Sequence, residues 1–193
     1  MSNELEAIKN EAGQALEGYE RAQADLLFQG RPLYAPEIHN EKERAARSAL
    51  TDQLAALNER AQAVKASAEA TRAAATANPH AWLSDSELAR AYHLRPFVAE
   101  DVAAGGVAYL AETDTMAQVG RLQVDRAHAW LLYRAAVAAG VDAPFIERLA
   151  WPAEALEAEK TAAAARLLLD DLRQADPLYK VQQLQRTGFN VTY

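Results

Sequence analysis

Asp125 and His128 stand three residues apart in "QVDRAHAWLLYRAAVAAG", a spacing that puts an acid and an imidazole on one face of a helix. Carboxylate-bridged di-iron bundles use this spacing, but they need two such pairs and two further carboxylates on facing helices. One pair is present here, and the other histidines, His39, His80 and His93, are scattered. The expectation is no metal and no cofactor, with a small helical enzyme built on an acid beside His128 as the catalytic alternative. The chain has no cysteine, which removes thiolate ligands, thiol nucleophiles and disulfides. It also has no "GxSxG" turn, and Gly105 and Gly106 lack the lysine and the spacing of a phosphate loop.

The stretch "SELARAYHLRPFVAEDVAA" opens like a helix-turn-helix, yet His93 stands where the turn wants glycine. Pro96 would begin the recognition helix, and Glu100 and Asp101 would face phosphates. A plain helical corner is expected instead. The charge balance agrees: there are twelve acids and nine bases through residue 80 and fifteen acids and eleven bases after it, so neither half is basic within a net charge of -7. No nucleic-acid partner is expected.

The C-terminal "GFNVTY" alternates Phe189, Val191 and Tyr193 with Asn190 and Thr192, the period of a strand. Such a tail can add to the sheet edge of a protein partner, backbone bonds supplying affinity and the three apolar side chains register. Equally, it can fold back on its own bundle.

These residues must be positioned by helices. Leu5, Ile8, Ala12, Ala15, Tyr19, Ala22 and Leu26 alternate steps of three and four, and so do Leu50, Leu54, Leu57, Ala61, Val64 and Ala68. Between the two stripes "GRPLYAP" breaks the helix and turns the chain. The pattern predicts an antiparallel coiled-coil hairpin over residues 1–80, with helices over 4–29 and 36–77. A capping box from Asn3 to Glu6 would start the first, and Pro36 with Glu37 and Glu41 suits the start of the second. Alanine in the seam gains little from burial. The hairpin therefore needs a further surface, the C-terminal half or a second subunit, and Leu50, Leu54, Leu57, Ala61 and Val64 are the expected self-association seam of a homo-oligomer.

Residues 81–187 read as a small orthogonal helical bundle and 188–193 as the tail, making the chain all-α. Ser84 with Glu87 is a capping box, and Leu83 with Leu88 its hydrophobic staple. A break is expected at Arg95 and Pro96, then a short helix stopped by Gly105 and Gly106, with "VAYLA" open between strand and helix. Thr115 with Gln118 would cap a long central helix reaching Ala139 and closed by Gly140. Pro144 opens a short helix to Trp151, and Pro152 opens the next, which Asp176 and Pro177 end. The start "MSNELEAIKNEAGQ" is not a signal peptide, and the most apolar helix is too short and carries Arg134. No membrane contact is expected, and the compartment would be the cytoplasm or a virion.

Around "GRPLYAPEIHNEKERAARSAL" the chain resembles coiled-coil head-assembly proteins of tailed bacteriophages, in which an aromatic-Pro-acidic step such as Tyr34 to Glu37 leads into a long Ala-, Glu- and Arg-rich helix. The resemblance covers roughly residues 30–75. It implies a scaffold or virion component contacting capsid or connector proteins, and the tryptophan-bearing second half departs from a simple scaffold rod. The expected function is non-enzymatic assembly, with a bacterial helical adaptor or surface-coat protein as the runner-up.

Overall fold

The computed structural model describes residues 2–28 and 30–177, and the described chain is all-α. Phe189, Val191 and Tyr193 lie outside the described residues. Six α-helices carry the described chain: α1 (Ser2–Ala24), α2 (Pro36–Thr76), α3 (Asp85–Gln118), α4 (Arg126–Ala139), α5 (Pro144–Ala150) and α6 (Ala153–Ala175). Two-residue strands, β1 (Leu27–Phe28) and β2 (Arg31–Pro32), pair antiparallel between α1 and α2 and reverse the chain, with Gly30 at φ 76°.

Two compact units divide the chain at 69/70 and 159/160, not at residue 80 as the sequence suggests. Among the described residues, the first joins those up to 69 with 160–177, so most of α6 belongs to the hairpin and not to the bundle. Ile8 and Ala12 of α1, Leu50, Leu54, Leu57 and Ala61 of α2, and Leu168, Leu169 and Leu172 of α6 form one core. Arg60 donates to Glu4 at 2.7 Å and to Glu11 at 2.6 Å, which aligns the early part of α1 with the later part of α2. Those two carboxylates, Glu11 foremost, hold the guanidinium proton more tightly than usual. Arg166 reaches Glu69 at 2.7 Å, and Thr51 reaches Asp176 at 3.4 Å, so α6 runs antiparallel to α2.

This arrangement corrects the self-association seam. Leu50, Leu54, Leu57 and Ala61 are buried inside one chain, and Val64 is half-buried. The weakly apolar hairpin finds its further surface in α6, one of the two options the alanine content demanded. Helix α1 begins at Ser2, which places Asn3 inside the helix and not at its cap.

The second unit, 70–159, is built on α3, α4 and α5 around Val98, Leu110, Leu132 and Ile146. The capping box of α3 forms as expected, Ser84 N–H donating to Glu87 at 2.8 Å and Glu87 N–H to the Ser84 hydroxyl at 3.4 Å. Helix α3 then runs through Pro96. The missing donor deprives the Tyr92 carbonyl of its helical partner, but this side of α3 is open to water, Tyr92 being 72 % exposed. The change of direction comes later, at Gly106, whose φ of 59° and ψ of -145° are not helical. Both halves of α3 are otherwise helical, "VAYLA" included, and Leu110 is fully buried.

The expected helix over 115–139 is two helices. Thr115 caps nothing: its hydroxyl donates to Ala111 O at 3.0 Å within the last turns of α3. Gly120, at φ 69°, lets the chain leave α3 with Arg121 and Leu122 N–H both returning to Met116 O. Helix α4 then starts afresh and ends on Gly140 in the left-handed conformation.

The bend gives a first expected result. Gly106 occupies a backbone region that only glycine visits readily, so Gly106→Ala is expected to destabilise the chain by about 1–3 kcal/mol. A Cβ on Gly105 would lie 2.4 Å from Cβ of Tyr109, so Gly105→Ala must shift backbone as well. Thermal melts followed by far-UV circular dichroism check both; a Gly106→Ala melt equal to wild type would mean that the bend is dispensable.

Candidate functional site

The residue pair that looked chemical serves a helix end. Asp125 is the N-cap of α4: its side chain accepts from His128 N–H at 2.8 Å and faces Arg90 at 2.5 Å. His128 thus meets Asp125 through its backbone, and its Nε2 is buried without a hydrogen bond among the described residues. Among the described residues no group of three His, Asp or Glu is placed to hold a metal ion, and no helix is long and apolar enough to cross a membrane.

A second carboxylate, missed in the sequence, is buried. Asp114 is 9 % exposed, and one of its oxygens accepts from Phe145 N–H at 2.9 Å and Ile146 N–H at 2.8 Å. Ala143, the N-cap of α5, has no side chain able to do this, so α3 caps α5 from a distance. The sequence marks the start of this helix with Pro144 but carries no local sign of the distant acid.

Glu87 anchors a third polar group. Its carboxylate takes the Ser84 N–H and hydroxyl, each at 2.8 Å, and Arg126 at 3.0 Å, while Arg126 also donates to Trp82 O. Burial pushes the Glu87 carboxyl up, but the Ser84 bonds and the Arg126 charge outweigh it and hold it below its ordinary value of 4.5. A depressed folded-state value stabilises the fold above pH 4.5, and that contribution is lost as pH falls through the lower value. Glu87→Gln is therefore expected to cost stability at pH 7 and to converge on wild type in acid below pH 4.5, a convergence that urea titrations at several pH values will show or refute.

Among the described residues, two apolar surfaces stand uncovered. In the second unit a groove of about 850 Å³ runs between α3 and α4. Leu88, Ala91, Val98 and Val102 recur along one stripe of α3, and Leu131 and Ala135 face them from α4. The α3 stripe lies in the stretch that the sequence presents as a plain helical corner. What the sequence does not show is the rim, because His80, Arg95 and Arg134 come from three elements.

The rim is cationic, and among the described residues no carboxylate lines the groove. Arg134 lies over the Trp130 ring, 5.2 Å from its centroid, with Nη1 at 3.2 Å from His80 Nδ1. Trp130 is fixed in turn by donating Nε1–H to Pro79 O at 2.8 Å. Arg95 makes no ion pair or hydrogen bond among the described residues and stands exposed beside Tyr92. Apolar floor, aromatic side chain and free guanidinium are the composition of surfaces that hold an amphipathic protein segment.

In the first unit the reversal of the hairpin carries the other surface. Leu27, Phe28, Leu33, Tyr34 and Ile38 are all exposed, Phe28 by 63 %, within twelve residues of sequence. Leu33 N–H donates to Leu26 O at 2.9 Å, extending the β1–β2 ladder and holding this end in shape. Lys42 lies over the Tyr34 ring, 5.0 Å from its centroid. Asp25, Glu37 and Glu41 are exposed here and pair with no cation among the described residues. The sequence contained these residues in "GRPLYAP" and its flanks, where they were read as a turn and a helix start.

Neither protein-family models, nor curated proteins, nor solved structures match this chain.

Proposed function

We propose that the chain is a non-enzymatic assembly protein that binds protein partners through uncovered helical surfaces. The observation that carries this reading is the α3–α4 groove, an apolar trough of about 850 Å³ with a cationic rim and no carboxylate among its described lining residues. Grooves of this kind take the apolar stripe of an amphipathic segment and use the rim to fix its orientation. Further support comes from Asp125, the acid of the candidate acid-histidine pair, which caps a helix, as Glu87 and the buried Asp114 do. The absence of a basic half in the sequence, with a net charge of -7, favours protein over nucleic acid as the partner. A phage particle, with capsid or connector proteins as partners, is the setting suggested by the resemblance of residues 30–75.

A photo-crosslinking amino acid placed at Tyr92, on the groove rim, tests the reading in the cell that makes the protein. Cross-links to one defined protein, this chain or another, with none from a matched probe at Glu100, are the expected result. Equal and diffuse labelling from both positions would overturn it.

A further inference from the structure

We propose that the apolar end of the α1–α2 hairpin in one copy of this chain seats in the α3–α4 groove of a second copy. This rests on the assembly reading above and commits it to one partner. The two surfaces are opposite in form. One is a chain reversal that exposes Leu27, Phe28, Leu33, Tyr34 and Ile38, and the other is a trough with an apolar floor.

They are also opposite in charge. Asp25, Glu37 and Glu41 outnumber the two cations of the hairpin end, Arg31 and Lys42, whereas the groove rim holds Arg95, Arg134 and His80 with no acid among its described residues. Lys42 is engaged over Tyr34, and the three carboxylates have no cation among the described residues. Arg95 likewise lacks a partner there. Unpaired carboxylates around a knob and an unpaired guanidinium beside a trough give the contact an orientation as well as an apolar surface to bury.

Two different patches in contact make a heterologous interface, which either closes as a ring or extends as a chain of copies. The expected behaviour is association that grows with concentration beyond a dimer and weakens as salt screens the rim.

This geometry allows a test that a symmetric contact would fail. Phe28→Asp removes the knob and Tyr92→Glu blocks the groove; both positions are exposed, 63 % and 72 %, so neither change disturbs a core. Light scattering on the purified full chain should show association for wild type and at least a ~10-fold weakening for each variant alone. An equimolar mixture of the two should then form a heterodimer and stop, because one intact knob meets one intact groove. Arg95→Glu, with circular dichroism confirming helicity, repeats the groove arm by charge alone and should also be rescued by Phe28→Asp.

Wild type that stays monomeric at all concentrations overturns the proposal, as does association indifferent to Tyr92→Glu, or a mixture that fails to dimerise. If monomeric wild type still gives Tyr92 cross-links to a different protein, the assembly reading stands and only the choice of partner falls.

Discussion

Replacing Asp114 by alanine is expected to unfold the second unit more easily by about 3 kcal/mol, roughly 1.5 kcal/mol for each of its two bonds from backbone N–H to a charged acceptor. The carboxylate sits at the end of α3 and reaches the first turn of α5, accepting from Phe145 and Ile146 at 2.9 and 2.8 Å. The residue at the cap, Ala143, has no side chain to satisfy those donors, and Ile146 is fully buried. Alanine would leave two N–H groups without a partner where water is scarce. An asparagine side chain would keep an oxygen acceptor and lose the charge, so Asp114→Asn is expected to cost about half as much. All three tryptophans, Trp82, Trp130 and Trp151, belong to this unit, so urea unfolding read by tryptophan fluorescence reports on it directly. Alanine and asparagine variants with the same midpoint as wild type would show that α5 is held by packing alone.

That cap illustrates where the sequence was and was not informative. The stripes of α1 and α2 were legible because each repeats the heptad spacing over several turns, and Ile8, Leu50, Leu54 and Leu57 are buried as the spacing requires. Local signals also held: the Ser84–Glu87 box, the Pro144 start and the Gly140 stop depend on residues within a few positions of one another. The boundaries expected inside α3 fall elsewhere because several breakers compete there. Pro96 was absorbed by an exposed helix face, Gly106 bent the helix without ending it, and Gly120 ended it. The interactions that stayed hidden are long-range. Asp114 is more than thirty residues from the buried Ile146 N–H that it holds, and the groove rim joins His80, Arg95 and Arg134 from three elements.

The placement of α6 is legible in its own stripe. Ala155, Ala158, Ala162, Ala165, Leu169 and Leu172 follow the same alternation of three and four as the hairpin stripes, and all six are buried. Chain order after residue 80 puts the segment with the bundle, whereas its period is that of the coiled coil. A hairpin whose seam is largely alanine gains too little from two helices, and a third stripe ending in leucines supplies the missing apolar surface.

A pair of substitutions two residues apart measures how much the first unit depends on that third stripe. Leu169 is 6 % exposed in the core shared with Ile8 and Leu57, whereas Leu167 is 69 % exposed on the opposite side of the same helix. Truncating Leu169 to alanine removes its side chain from water-free packing and leaves a cavity, for an expected loss of about 2–5 kcal/mol. Truncating Leu167 should change stability by no more than about 0.5 kcal/mol, since leucine and alanine have similar helix propensity and little contact is lost. Because the core joins helices far apart in sequence, the consequence should be felt on α1: amide exchange across residues 5–19 is expected to accelerate at least ~30-fold in Leu169→Ala and to stay unchanged in Leu167→Ala. Were α6 merely adjacent to the hairpin, the two variants would behave alike and α1 would exchange at the same rate in both. A large split between them would instead mean that the hairpin is folded only as one part of a three-helix core, so that its exposed end is presented on a rigid support.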